Sequence, residues 1–124
     1  MAEFGFEKLK VYQAARALRV RTYKLARLLP VEEKFNVVSQ MRRAALSITN
    51  NIAEGHGRFT YKDRIYFCLQ SRGSLLELVD DINLCIDQGY AKPEHLEDFR
   101  NDAFELLRLL TGYIRFLKGK KVES

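Results

Sequence analysis

The stretch that decides the fold runs from Gln40 to Arg58 and has the sequence QMRRAALSITNNIAEGHGR. At helical periodicity it carries an apolar stripe and a polar stripe side by side. The apolar stripe consists of Val37, Met41, Ala44, Ile48 and Ile52, and the polar stripe consists of Gln40, Arg43, Ser47, Asn50, Asn51 and Glu54. Short amide and hydroxyl side chains suit defined hydrogen bonds. The stretch therefore predicts a helix with two packed faces, one on its own core and one on something else.

Three further segments carry apolar residues at alternating steps of three and four. The predicted helices cover residues of about 6–29, 32–55, 61–88 and 93–118. The apolar positions outside the second helix are Val11, Ala15, Leu18, Thr22, Leu25 and Leu29, then Ile65, Cys68, Arg72, Leu75, Val79, Ile82 and Ile86, then Leu96, Phe99, Ala103, Leu106, Leu110, Tyr113 and Leu117. This spacing is typical of helices that cross at shallow angles, and short connections make neighbours antiparallel. We expect an all-α protein, a single up-down-up-down four-helix bundle over residues 1–124.

Local signals set the predicted helix boundaries. Pro30 ends the first helix, and Pro93 suits the first turn of the fourth. Thr60, followed by an acidic residue at position 63, is typical of a capping box that opens the third helix. Gly89 ends that helix, and the Gly55–Gly57 segment predicts a left-handed glycine cap after the second helix.

Composition limits the class of protein. The chain has 124 residues, of which 47% are hydrophobic and 30% charged, as in folded domains. It contains no apolar run near the roughly 18 residues that span a bilayer, and its N-terminus does not resemble a secretory signal. Cys68 and Cys85 fall on one predicted helix about 25 Å apart, too far to bridge, so we expect core cysteines in a cytoplasmic protein.

The net charge of +5 is unevenly distributed along the chain. Residues 1–72 carry 14 Lys/Arg and 6 Asp/Glu, whereas residues 73–107 carry 2 and 9. The last segment, residues 108–124, is basic again with 5 and 1. Such segregation serves either a polyanion or the contact between one copy of the chain and another. Composition alone does not choose between the two.

Arg72 occupies a position of the predicted core. Either its side chain reaches solvent from the edge of the core, or it needs a buried acceptor. The second helix offers three candidates for that acceptor, namely Gln40, Asn51 and Glu54. The following Gly73–Ser74 pair lacks bulk, which would let another helix come close.

The first helix carries a basic face with interleaved aromatic residues, which is typical of nucleic-acid binding. The candidate nucleic-acid-binding residues are Tyr12, Arg16, Arg19, Tyr23 and Arg27, together with Arg42, Arg58 and Lys62 near helix ends and loops. In the alternative interpretation, the tyrosines pack between helices or subunits. The arginines are then solvated or meet the acidic third and fourth helices of another copy.

No catalytic or metal-binding constellation is predicted. Acidic residues cluster around the connection between the third and fourth predicted helices. Those of the fourth helix follow one helix face and are most simply a solvated surface: Glu94, Glu97, Asp98, Asp102 and Glu105. The serines lie within helices without a neighbouring histidine, and Gly55–Arg58 lacks the strand and Lys-Ser/Thr pair of a phosphate loop. We therefore expect no enzymatic activity, no metal and no cofactor.

The stretch of the second helix resembles a known family, together with Phe4–Tyr12 before it and Arg72–Glu77 after it. The most specific parts are Gln40–Arg43 and Asn51–Gly55 with Arg58. They are similar to the four-helix-bundle proteins encoded in intervening sequences of bacterial 23S rRNA genes. These proteins in turn resemble the accessory variability determinants of diversity-generating retroelements. The resemblance covers residues of about 6–117.

The resemblance implies a small cytoplasmic bundle that forms a ring-like homopentamer with a basic exterior. In the retroelement branch it implies binding to a reverse transcriptase and to nucleic acid. We expect an oligomeric, non-catalytic bundle that binds nucleic acid, most simply RNA, with a reverse transcriptase as a further partner. The competing hypothesis is an assembly module that uses its charge only between subunits. In either case, we assign Gln40, Arg43, Ser47, Asn51, Glu54 and Arg72 to a subunit interface or an internal polar network.

Overall fold

The computed structural model describes residues 1–123, with side chains through Lys120. Four helices make up most of this part of the chain, and no strand occurs in it. They are α1 (Lys10–Ala26), α2 (Val37–His56), α3 (Tyr61–Gln88) and α4 (Pro93–Glu123). Short 3-10 turns precede α1, at Gly5–Lys8, and α2, at Val31–Glu33. The predicted all-α class is confirmed.

The helices follow one another around the bundle, and α4 closes it against α1. Neighbouring helices are antiparallel: along a pair of helices, rising residue numbers on one contact falling residue numbers on the other. On α1 and α2, Arg19 bonds Thr49, whereas Tyr23 lies under Arg42. α1 also meets α4 through an ion pair between Arg21 and Asp102. This arrangement is consistent with the predicted up-down-up-down bundle.

The core consists of the predicted apolar stripes with a shift on α3. Every position predicted for the first two helices is buried, and so are those of α4 apart from the half-buried Tyr113. On α3, Ile86 was predicted to be buried but is 46% exposed, and Cys85 is fully buried in its place. An α-helix repeats every 3.6 residues rather than 3.5, so an apolar stripe drifts by about 20° per heptad along a long helix. The prediction for Ile86 was wrong because of that drift.

Two predicted helix starts were also wrong. The first helix does not run continuously from residue 6, because Leu9 is extended (φ −69°, ψ 131°) between the 3-10 turn and α1. This break lets the ring of Phe6 pack edge-on against Tyr12, with centroids 4.9 Å apart. The second helix begins at Val37 rather than 32, since Asn36 has a non-helical backbone (φ −122°, ψ −107°).

The predicted cap residues of α3 are in place, but of the predicted capping box only the bond to the Thr60 side chain occurs among the described residues. The Thr60 hydroxyl accepts a hydrogen bond from the Asp63 backbone N–H at 3.1 Å, and Gly89 adopts the left-handed conformation (φ 66°) after α3. The left-handed cap predicted after α2 is absent, because Gly57 is right-handed (φ −80°, ψ −6°). Its N–H instead reaches the Ala53 and Glu54 carbonyls.

The close helix approach occurs at Gly55 rather than Gly73. A Cβ added at Gly55 would lie 2.8 Å from the Cβ of Phe67 on α3 and 3.4 Å from the Arg64 carbonyl oxygen. A Cβ at Gly73 would meet no described atom within 4 Å. Within this chain, α2 and α3 therefore come together where α2 has no side chain, and the outer surface of α3 stays open at Gly73.

Candidate nucleic-acid interface

The hairpin of α1 and α2 is almost free of carboxylates. From Lys8 to Ala53 the sequence has ten Lys/Arg, and its only acidic residues are Glu32 and Glu33. Both lie in the short 3-10 turn of the connection, so neither α1 nor α2 carries an acidic residue before Glu54. A polyanion that approaches this side of the bundle meets no opposing charge along two helices.

A groove lies on the outside of this hairpin. Its lining residues are Arg19, Val20, Tyr23, Lys24 and Arg27 of α1 with Leu46 of α2, and its volume is about 340 Å³. We call it the α1–α2 groove. Val20 is 48% exposed and Leu46 is 42% exposed, so its wall is open and apolar. The four other residues place three cations and a phenol ring around that wall.

Two of the lining side chains are held in place from behind. The Arg19 guanidinium donates a hydrogen bond to the Thr49 hydroxyl at 2.9 Å, and that hydroxyl donates to the Leu46 carbonyl at 3.0 Å. The Arg42 guanidinium lies over the Tyr23 ring, 5.5 Å from its centroid, in a cation–π contact. The Arg42 Nε is buried and has no hydrogen-bond partner among the described residues.

On the groove side of α1 and its C-cap, three exposed cations are uncommitted. Within residues 1–120, the side chains of Arg16, Lys24 and Arg27 make no hydrogen bond, ion pair or ring contact. We call these three residues the free cations. Eleven residues separate the first from the last, so they extend about 16 Å along α1. A row of unpaired charge is available there for phosphate groups without breaking any contact of the fold.

The other predicted ligand residues lie apart from the groove. Tyr12 is half-buried and packs against Phe6 and the core. Arg58 pairs with Glu54 at 2.8 Å and lies over the Phe67 ring, 4.8 Å from its centroid. Lys62 is exposed in the first turn of α3, at the opposite end of the bundle from Arg27. The structure therefore brings Arg19, Tyr23, Arg27 and Arg42 together and leaves these three elsewhere.

Sequence reasoning missed Val20, Lys24 and Leu46. The two apolar residues fall outside the core stripes, and an exposed apolar residue is common enough to carry no signal alone. Only the crossing of α1 and α2 brings them to opposite sides of one groove. One signal in the sequence could have indicated which side of the bundle carries the site, namely the absence of carboxylates from residues 34–53.

Part of the polar stripe on α2 forms an internal network with α3. The hydroxyls of Ser47 and Ser74 are 2.8 Å apart, and the Asn51 amide donates to the Ser47 hydroxyl at 3.0 Å. Deeper in the interface, the Ser71 hydroxyl donates to the Ile48 carbonyl at 2.7 Å. The second packed face of α2 is therefore met by α3 of the same chain at these residues.

Other residues assigned to a subunit interface or internal polar network lie outside this network. Gln40 and Arg43 are exposed, whereas Arg72 is half-buried on the α4 side of α3. Arg72 lines grooves together with Thr111 and Arg115 and has no hydrogen-bond partner among the described residues. The acceptor predicted for it on α2 was wrong. A residue at the edge of a core stripe can turn toward either neighbouring helix, and Arg72 turns toward α4.

The acidic side of the bundle contains one strongly perturbed group. Burial, together with the nearby Asp80 and Glu77, raises the pKa of the Asp81 carboxyl from 3.8 to about 6. The Arg43 guanidinium opposes this effect, which locates Arg43 near α3. Burial also raises the pKa of both Cys68 and Cys85 to about 11, so both are neutral thiols of the core near neutral pH, as predicted. No group of three His, Cys, Asp or Glu side chains in the described residues is placed to hold a metal ion.

Comparison with known proteins agrees with this architecture. The family described as 23S rRNA-intervening sequence protein matches residues 7–112. The chain belongs to the 23S rRNA-intervening sequence protein family. The match includes α1, α2, α3 and most of α4, and it contains every residue of the α1–α2 groove.

A solved structure resembles this family member closely. It is a protein of unknown function from the S23 ribosomal protein family of Bacteroides thetaiotaomicron VPI-5482. The two chains are 28% identical with a TM-score of 0.78, and the similarity covers 84% of this chain and 97% of the other. None of the curated proteins matches the chain significantly. None of the described helices is long and apolar enough to cross a membrane.

Proposed function

We propose that this member of the 23S rRNA-intervening sequence protein family is a non-catalytic protein that binds nucleic acid, and RNA in particular, through the α1–α2 hairpin. The observation that carries the proposal is the row of free cations beside a groove, on a hairpin whose carboxylates are confined to the connecting 3-10 turn and the last turn of α2. Among the described residues, the side chains of Arg16, Lys24 and Arg27 make no hydrogen bond, ion pair or ring contact within the subunit. Phosphate groups are common ligands for such a row of cations, since each phosphate that a cation neutralises releases counterions and so favours binding.

The salt dependence of RNA binding tests this proposal. Fluorescence anisotropy of a labelled structured RNA, measured across a salt series, gives the slope of log K against log salt. Three contacts to a single-stranded segment predict a slope of about −2, at roughly 0.7 per contact. The double variant Lys24→Gln/Arg27→Gln should bind more weakly and flatten that slope, whereas the exposed Lys92→Gln in the α3–α4 connection should not. Absent binding at low salt, or binding without salt dependence, refutes the proposal.

We also propose that the protein assembles with copies of itself, as a pentamer by resemblance. A surface distinct from the groove supports this proposal. The residues Tyr66, Leu69, Gly73 and Leu76 follow steps of three, four and three on the outside of α3, and we call them the α3 outer stripe. Its three large side chains are 56%, 48% and 44% exposed. A second apolar helical stripe with a glycine at its middle is typical of a helix that packs against another helix.

Substitution separates this surface from the charge-based alternative. If the α3 outer stripe holds the subunits together, Leu69→Asp or Leu76→Asp should reduce the mass measured by light scattering, and Arg16→Glu or Arg27→Glu should leave it unchanged. If charge alone joins the subunits, the arginine variants should dissociate the assembly. The same arginine variants should lose RNA in the first case while they remain assembled.

A reverse transcriptase is the third proposed partner, and its support is the resemblance to the retroelement proteins. An RNA-binding bundle in the cytoplasm would then present its bound RNA to that enzyme. The genomic neighbourhood distinguishes the branches, because a reverse-transcriptase gene with template and variable repeats should lie beside this gene if the partner exists. A gene inside a 23S rRNA insertion, without such a neighbour, contradicts this part of the proposal.

A further inference from the structure

We infer that the α1–α2 groove holds one unpaired base of a single-stranded nucleic acid, with the adjoining phosphates on Lys24 and Arg27. This inference rests on the proposed nucleic-acid binding and adds the form of nucleic acid that the site selects. It concerns the apolar wall of the groove, which a phosphate backbone does not need.

The wall has the chemistry of a base-binding surface. Val20 and Leu46 expose nearly half of their surface to the groove region, and Tyr23 lines the groove between them and the cations. A phosphate gains no binding free energy from contact with aliphatic carbon. A base presents a flat, weakly polar face, and its burial against such a wall is favourable. The volume of about 340 Å³ is at the lower end of the range for small-ligand sites, which suits one base and is too small to enclose a paired helix.

The site is partly organised before a ligand arrives. The bond from Arg19 to Thr49 fixes one cation at the wall, and the Arg42 guanidinium occupies one side of the Tyr23 ring. Only Lys24 and Arg27 remain to be ordered by a ligand. Because fewer side chains lose freedom on binding, a small contact of this kind retains more of its binding free energy.

The extent of the apolar surface favours a base over an acidic amphipathic helix. A docked helix needs anchors at several successive turns, at positions such as i, i+3 or i+4, and i+7. On α1 and α2, Val20 and Leu46 are the only exposed large hydrophobic residues among the described side chains. The next outward positions on α2, Arg43 and Asn50, are polar and exposed. Leu28, Val31 and Phe35 of the connection are exposed as well, but none of them lines the groove, so the apolar surface of the groove is one patch rather than a stripe.

Competition between unpaired and paired strands tests the inference. The probes are a labelled 12-nucleotide RNA without secondary structure, the DNA of the same sequence, and the corresponding RNA duplex, all at one salt concentration. We expect the unpaired RNA to bind about tenfold more tightly than the duplex, in keeping with the contribution of one base contact. Equal affinity for unpaired DNA supports the base site without a role for the 2′-hydroxyl, and tighter RNA binding assigns the site to RNA.

Variants assign the preference to the groove. Val20→Ala/Leu46→Ala removes the apolar wall and keeps every cation, so it should lower the affinity for the unpaired strand to that for the duplex. Leu84→Ala, which truncates an exposed leucine on α3, is the matched control and should change neither. Circular dichroism verifies that each variant is folded.

Two outcomes overturn the inference while nucleic-acid binding survives. One is equal affinity of the wild type for the unpaired strand and the duplex. The other is displacement of the strand by polyglutamate of equal charge as efficiently as by unlabelled RNA, which means that the groove selects charge alone. If no nucleic acid binds at low salt, the proposed function and the inference fail together.

Discussion

Gly55→Ala is predicted to destabilise the protein, although alanine is the better helix former. Gly55 lies in the last turn of α2, where α3 passes directly over its backbone. The new Cβ would lie 2.8 Å from the Cβ of Phe67 and 3.4 Å from the backbone oxygen of Arg64. Neither atom is the end of a flexible side chain, so relief requires a movement of α3 away from α2.

The structure gives the approximate magnitude. An ordinary contact begins near 3.4 Å, so α2 and α3 must separate locally by several tenths of an ångström. Overpacking of this kind costs about 1–3 kcal/mol. Alanine in a helix gains at most about 1 kcal/mol over glycine, and less this close to the end of α2. We expect a net loss of about 1–2 kcal/mol in the free energy of unfolding.

Gly112→Ala is the matched control, because a Cβ there meets no described atom within 4 Å and the residue is exposed within α4. It should gain up to about 1 kcal/mol from helix propensity alone. Urea denaturation followed by circular dichroism, at one subunit concentration, measures both variants. If Gly55→Ala is as stable as Gly112→Ala, the contact between α2 and α3 at this point does not limit the packing, and the reasoning is refuted.

Two further changes test the electrostatics and capping of α3. Asp81→Asn should stabilise the protein at pH 8 by about 1 kcal/mol and change little at pH 3.5, since the pKa of Asp81 in the folded protein, about 6, lies above the ordinary 3.8. The full pKa shift corresponds to about 3 kcal/mol, and the expected gain is smaller because the side chain is partly solvated. The stability that Asp81 contributes is present below pH 3.8 and is lost as the pH rises through 6, so an equal gain at both pH values in urea denaturation would contradict the assignment. Thr60→Ala should cost about 1 kcal/mol of stability, because it removes the acceptor for the Asp63 N–H. Thr60→Ser should retain most of that stability, and the control Thr111→Ala, exposed within α4, should lose little. Thermal melts of the three variants measure these differences.

The fold followed from the sequence wherever a periodic pattern decided it. The apolar stripes of the first, second and fourth helices form the core because burial of one face is the main driving force for such helices. Leu9 was not recognised as a break, since the apolar pattern continues across it while the backbone does not. Its extended conformation accompanies the contact of Phe6 with Tyr12, which exists only in the folded chain.

The candidate site followed in part for the same reason. Arg19, Tyr23 and Arg27 share one face of α1, so their spacing placed them together. Leu46 joins them only through the crossing of α2, and Arg72 turns toward α4 through the rotation of α3 about its axis. A single sequence contains no direct information on either quantity. Sequence reasoning therefore missed the contacts between residues on different helices.

The uneven charge distribution lowers the stability of the isolated subunit, which indicates that it serves binding rather than folding. Residues 8–53 contain ten Lys/Arg but only two Asp/Glu, and the ion pair of Arg21 with Asp102, which joins this hairpin to α4, is exposed. An exposed pair contributes at most about 1 kcal/mol, so the segregation adds little to stability, while the like charges on α1 repel. Removing Lys24 and Arg27 should therefore raise the melting temperature slightly and weaken RNA binding at the same time. A folding role for these two cations requires the opposite, a lower melting temperature, and the double glutamine variant at low salt decides between the two.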